Sequence, residues 1–222
     1  MAKTLIYLVR HGHSTANGKG VLAGRDNSVH LSKEGLVQAE ALSARLQETP
    51  WDHIRSSPIT RCLETISPLR AALRKGQKAA PDFSKDSAFI EMDYGKWSGK
   101  KLSLLSKKSE WGTIQERASD FVFPEGEGFL EAAHRITERL HELSKSGDKI
   151  LICSHGDIIK MALSFALGSH LDHFQRIAIS PASISAIAFD AGRPHVLFMN
   201  STSHLSSVGE VSSSSGDLGG GA

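Results

Sequence analysis

Apolar and polar positions along the chain keep two alternating rhythms. From Lys3 to Val9 a short, β-branched apolar run ends at Arg10, His11 and Gly12, the pattern of a buried strand opening into a loop or helix start. Leu36, Ala39, Leu42 and Leu46 then recur at helical spacing behind Ser32, a candidate N-cap. The order repeats in "DHIRSSP", a brief strand halted at Pro58, and in Thr60 to Leu73, a helix expected to be interrupted near Pro68. It repeats again in "KILICSHGD", the clearest strand of the sequence, followed by the apolar helix "DIIKMALSFALG" ending at Gly168. Strand–helix units of this kind predict an α/β fold: a three-layer α/β/α sandwich whose central, mostly parallel sheet is covered on both faces.

The remaining segments are less regular. Ser103 to Ala118 reads as one helix with a basic start, and "FVFPEGEGF" as a turn-rich entry to a helix over Phe129 to Leu143. "ASISAIAFDAG" and "HVLFMN", parted by Gly192 and Pro194, predict a closing hairpin. From Ser201 onward the Ser- and Gly-rich stretch has too little apolar surface to offset its ordering entropy. The expected organisation is one domain over residues 1–200 and a disordered tail over 201–222. No internal repeat is visible.

Composition narrows the function classes. A chain of 222 residues, 40% hydrophobic with a formal net charge of +2, carries no general polyanion-binding character, which argues against nucleic acid. The apolar run near the start is far too short for a signal peptide or a membrane span, and no later run is longer, so no membrane partner and a cytoplasmic location are expected. Cys62 and Cys153, the sole cysteines, supply neither a disulfide framework nor a zinc cluster and read as buried reduced thiols.

Ligands of open α/β sheets bind beyond the carboxyl ends of the strands, so the residues that follow each expected strand are the ones to collect. The first strand delivers Arg10 and His11, the second leads to Ser57 and then Arg61, and "KILICS" delivers His155 and Gly156. Adjacent Arg and His at a strand tip are electrostatically costly unless an anion joins them. Alone, Arg61 reads as a solvated helix charge and His155 as a structural histidine; their shared position points to a phosphate or carboxylate site.

The quoted blocks resemble a known family. "LVRHGHSTAN", "SSPITRCLET", "EMDYGKWSG" and "CSHGD", in that order, resemble the signature blocks of the histidine phosphatase superfamily, which includes phosphoglycerate mutases and small phosphatases. The resemblance extends from about residue 4 to 190, and "GVLAG" and "DHFQRI" are most similar to its actinobacterial phosphomutase-like members. It implies a phosphoglycerate mutase-like fold and a phosphohistidine enzyme that needs no cofactor or metal. Residue by residue, it implies His11 as nucleophile, Glu91 as proton donor and acceptor, and Arg10, Arg61 and His155 around the phosphoryl group. Asn17, Ala23, Gly24 and Arg25 would face the far side of the substrate. Two positions depart from the pattern: His13 stands where Glu or Gln is common, and Gly128 where Ser often follows Gly-Glu. Trp97 is open between a pocket wall and ordinary core.

Charge chemistry agrees with these roles. Guanidinium forks match phosphate oxygens bidentately, and the same cations disfavour protonation of His11, keeping a neutral nucleophile available. A bound dianion would raise the pKa of Glu91 toward that of a usable acid, while His155 and the helix start at "SHGD" would stabilise transition-state charge.

The expected activity is hydrolysis of a small-molecule phosphomonoester. The alternative is a phosphoglycerate mutase-type phosphotransferase. Family mutases usually carry a long basic insertion after the acid block, whereas Glu91 to Pro124 is short here despite Lys96, Lys100, Lys101, Lys107 and Lys108. A more distant alternative is a metal-dependent hydrolase using His11 and His13 as ligands, against which Arg10 would repel the ion. Cysteine phosphatase and P-loop chemistry lack their motifs.

Overall fold

The computed structural model describes residues 3–76 and 80–206. Six strands, β1 (Thr4–Arg10), β2 (His53–Ser56), β3 (Asp82–Lys85), β4 (Lys149–Ser154), β5 (Ile184–Asp190) and β6 (Arg193–Ser201), form one sheet in the order β3-β2-β4-β1-β5-β6. Four are mutually parallel: β1 and β2 flank β4, with Leu8 opposite Ile152 and Ile54 opposite Leu151, and β3 adds to β2. The closing hairpin is antiparallel, β5 pairing with β1 and β6 with β5.

Side chains alternate across each strand, so the two faces sort into two cores. Ile6, Leu8, Ile150, Ile152 and Ile187 point to one, under helices α5 (Phe129–Leu143) and α6 (Gly156–Ala166) and the aromatic segment from Phe89 to Phe129. Val9, Ile54, Leu151, Cys153 and Ile184 point to the other, under α1 (Lys33–Leu46) and α2 (Thr60–Gly76). The result is the three-layer arrangement, with fully buried β4 explaining its unbroken apolar reading.

Helix α1 begins as its sequence predicts: the Ser32 side chain accepts from Gly35 N. Its buried face, however, is Gly35, Gln38, Ala39, Leu42, Ser43 and Leu46, and Leu36 is 52% exposed. The reason is close approach: a Cβ on Gly35 would collide with the His13 carbonyl oxygen, so the helix presents its smallest residue to the loop after β1. Helix α2 runs through Pro68 without a break. The single helix expected over residues 103–118 is instead two short ones, α3 (Leu102–Leu105) and α4 (Glu110–Glu116), separated where Leu105 and Ile114 each turn into the core. Strand β3 went unread, since "DFSK" is a short, mostly polar edge strand held by pairing with β2.

The ordered chain also passes the boundary expected at residue 201. Ser201 closes β6, and a turn over Ser203–Leu205 seats Leu205 in the α1/α2 core, fully buried. The rest of the expected tail, 207–222, lies outside the described residues. Among the described residues no helix is long and apolar enough to cross a membrane.

Candidate active site

The ends of β1, β2 and β4 meet at one edge of the sheet, and backbone bonds fix what leaves them. His11 N donates to Ser154 O at 2.9 Å, Ala182 N to His11 O at 3.1 Å, and Ser57 N to Cys153 O at 2.9 Å. Gly12 follows because a Cβ there would meet Gly35 O at 2.8 Å, and its N–H donates to Thr65 Oγ1 at 3.0 Å. These contacts aim His11 at the residues delivered by α2 and by the start of α6, where His155 is the N-cap.

Five residues from four chain segments meet there, all with at most 3% exposure: Arg10, His11, Arg61, Glu91 and His155. His11 Nδ1 lies 2.7 Å from Gly12 O, which assigns it the proton and leaves Nε2 with its lone pair, 3.2 Å from Arg61 Nε. Arg61 Nη2 donates to Gly24 O at 2.8 Å and to His155 Nδ1 at 3.0 Å. His155 Nε2 is 2.7 Å from Ser57 Oγ, so its second nitrogen is anchored as well. The His11 and His155 rings meet edge to face with centroids 5.3 Å apart. Arg10 donates from Nη1 to Ile179 O.

Burial and the two cations hold His11 neutral: desolvation is the largest cause, followed by Arg61 and Arg10, and its pKa falls well below the usual imidazole value. His155 is lowered for the same leading reasons, burial and then Arg61. Glu91 moves the other way. Burial, and next the charge of Asp157, raise its carboxyl to about 7, while Arg61 and Arg10 pull it down. Its Oε2 lies 3.7 Å from His155 Nδ1 and 4.0 Å from Arg61 Nη2, and its Oε1 accepts from Met92 N at 3.0 Å. Burial lowers Arg10 to about 10, which leaves it cationic at neutral pH.

The cleft in front of these groups is lined by His11, Arg61 and Glu91 and by loop residues that include Asn17, Ala23 and Gly24. Arg25 is not part of that lining. Its Nε donates to Glu91 O at 2.9 Å and its Nη2 to Glu127 Oε2 at 3.1 Å, and it lies 3.5 Å from Asp93. Arg25 thereby grips the stretch of chain that carries Glu91. Trp97 belongs to the core, 2% exposed and packed against Phe121, Phe123 and Trp111.

The departures at positions 13 and 128 have local consequences. His13 Nδ1 lies 2.8 Å from Ser32 Oγ and 3.8 Å from Glu34, and no cluster of three or more His, Cys, Asp or Glu able to hold a metal occurs among the described residues. Gly128 caps α5 without a side-chain bond, and a Cβ there would sit 3.1 Å from Val122 Cγ2. Both cysteines are buried free thiols, with Cys62 Sγ 3.5 Å from His155 Nε2.

Sequence reasoning missed two polar networks behind the site. In one, Tyr94 donates to buried Asp157 at 2.7 Å, with Lys160 3.7 Å from the same carboxylate and 2.8 Å from Gln175. In the other, Arg135 donates to Glu127 Oε1 at 2.8 Å and Oε2 at 3.1 Å, to Ile90 O at 3.0 Å and to Ala88 O. Only the placement of Asp157 in the first turn of "SHGD" and of Glu127 in "PEGEG" could have signalled them.

The chain is 27% identical to a 2,3-bisphosphoglycerate-dependent phosphoglycerate mutase of Thermoplasma acidophilum over 201 residues, covering 90% of this chain and 94% of that one. It is 28% identical to phosphoserine phosphatase 1 of Hydrogenobacter thermophilus over 204 residues, 90% and 93% of the two chains. The crystal structure of a phosphoserine phosphatase from Entamoeba histolytica in complex with 3-phosphoglyceric acid shares the fold, with a TM-score of 0.80 at 22% identity over 91% of this chain and 99% of that one. The family model of the histidine phosphatase superfamily (branch 1) matches residues 6–202, and the chain belongs to that superfamily.

Proposed function

We propose that the protein is a metal-independent phosphomonoester hydrolase that works through a phosphohistidine at His11. The observation that carries this reading is the poise of His11: neutral, its Nδ1 tied to Gly12 O at 2.7 Å, its Nε2 presented beside Arg61 at 3.2 Å. A phosphoryl dianion entering between Arg10 and Arg61 would take up the Arg61 donors now turned on His11 and His155 and place phosphorus before Nε2. The Nε2–P bond forms as the ester P–O bond breaks, and Glu91, protonated near neutral pH, gives its proton to the departing oxygen. Water then attacks phosphorus, the N–P bond breaks, and the proton of water passes to Glu91, which restores the site and releases inorganic phosphate. Arg10 and Arg61 supply the positive charge that a metal would otherwise bring.

Hydrolysis is favoured over mutation by the segment after Glu91. It folds back as α3 and α4 onto the core, and Lys96, Lys100, Lys101, Lys107 and Lys108 are exposed and absent from the cleft lining. The names of the relatives, phosphatases and mutases both, are compatible with either outcome. The test is rapid-quench trapping with radiolabelled phosphomonoester: wild type should yield an acid-labile, base-stable phosphoenzyme and His11→Ala, folded by circular dichroism, should yield none and no turnover. Turnover in the folded variant would overturn the reading, and faster phosphate transfer to an added phosphorylated acceptor than to water would favour the mutase.

A further inference from the structure

We propose that this site selects phosphomonoesters of uncharged alcohols with a compact apolar body and discriminates against esters carrying a second anion, an inference that rests on the hydrolase reading above. Beside the phosphoryl end, the apolar side chains on the cleft lining are Ala16, Val21, Leu22, Ala23 and Leu102. This wall is stitched in place: Leu22 N donates to Lys100 O at 2.9 Å, Gly99 N to Leu22 O at 2.8 Å, and Leu102 N to Gly20 O at 2.8 Å. The apolar surface is thus part of the fold and not a loop waiting to exchange a polar residue for it.

Two polar oxygens of the lining are turned away from a ligand by internal hydrogen bonds. Asn17 Oδ1 accepts from both Ser14 N at 3.0 Å and Ser14 Oγ at 2.7 Å, and the Tyr94 hydroxyl donates to Asp157 at 2.7 Å. Among the described residues the one cation on the lining is Arg61, which the phosphoryl group would occupy. Lys100 and Lys101 flank the stitched backbone but are exposed and lie outside the lining. A carboxylate on the leaving group would therefore leave water for an apolar wall, beside the Glu91 carboxyl and without a counter-charge, whereas an alcohol with an alkyl body would exchange water for methyl groups.

The test compares sn-glycerol 1-phosphate with D-3-phosphoglycerate, which share the configuration at C2 and differ in one hydroxymethyl against one carboxylate, and adds butyl phosphate. For the wild type, kcat/KM for 3-phosphoglycerate is expected to be roughly tenfold or more below that for sn-glycerol 1-phosphate, with butyl phosphate at least equal to the latter. Calorimetric binding of the same three esters to His11→Ala should give the same order. Leu102→Lys should move the ratio toward the anion. Equal or better use of 3-phosphoglycerate, with equal or tighter binding, would overturn the specificity. The expected order of binding with no hydrolysis of any ester would support the specificity and overturn the hydrolase reading instead.

Discussion

Arg61 concentrates the site's chemistry in one side chain. Its planar fork touches His11, His155 and the Gly24 carbonyl at once, at 3.2, 3.0 and 2.8 Å. An ammonium in its place is a point charge that cannot hold two phosphoryl oxygens and orient two imidazoles together. Arg61→Lys is therefore expected to lower kcat/KM by roughly 10²-fold or more on every phosphomonoester tried, the scale of losing one positioned electrostatic donor. A variant within about twofold of wild type would place Arg61 outside the chemistry.

Glu91 supports two further predictions at the same scale. With its pKa near 7, kcat/KM for alkyl phosphates should fall as pH rises past about 7, because the acid form is lost. The same limb should be weak for p-nitrophenyl phosphate, whose leaving group hardly needs a proton, and Glu91→Gln should cost roughly 10²- to 10⁴-fold on alkyl esters and less on this one. The raised pKa also has a stability sign. A carboxyl whose folded pKa lies above its ordinary 4.5 favours folding in its protonated form, so its contribution is lost as pH rises from 4.5 through about 7. Glu91→Gln should then melt several degrees above wild type at pH 8, by up to about 3 kcal/mol, with the difference gone near pH 4.5. An unchanged or lower melting temperature at pH 8 would show that Glu91 ionises there without penalty.

At the scale of elements, Glu91 is carried by a stretch with almost no regular structure, and what holds it is a pair of arginines. Arg135 on α5 binds the carbonyls of Ala88 and Ile90, Arg25 binds that of Glu91, and buried Glu127 joins the two guanidinium groups. Arg135 and Arg25 are positioning residues. Arg135→Ala is expected to lower kcat with KM little changed, and to do so more for alkyl phosphates than for p-nitrophenyl phosphate, a leaving-group dependence that mere loss of stability would not produce. Arg135→Lys should rescue only part of it, since one ammonium cannot serve a carboxylate and two carbonyls. A loss equal on good and poor leaving groups would separate Arg135 from the acid.

For the molecule as a whole, the sheet brings the ends of three parallel strands to one edge, and the charge gathered there is supplied by the chain. Activity should survive exhaustive chelator treatment unchanged, whereas loss with EDTA and recovery with zinc would revive the reading of His11 and His13 as ligands, despite the contacts that turn His13 to Ser32.

The layered fold and the meeting of Arg10, His11 and His155 at one sheet edge were legible in the sequence because both rest on local signals. Continuous apolar strands with helical stretches between them specify a covered parallel sheet, and the residue after each strand end is placed by the strand itself, which is why Arg10, His11 and His155 could be read before any contact was known. Tertiary structure decided the rest. That Arg25 grips the Glu91 carbonyl depends on Glu127, 102 residues further on, and whether Trp97 lines the cleft or fills the core depends on Trp111, Phe121 and Phe123. The polar edge strand β3 exists by pairing with β2, the expected helix over 103–118 divides to bury Leu105 and Ile114, and Leu205 is ordered by the core it enters. Periodicity records which face of an element is apolar; it carries no record of the distant partner that gives a charged or aromatic side chain its role, and that partner is set only when the layers close.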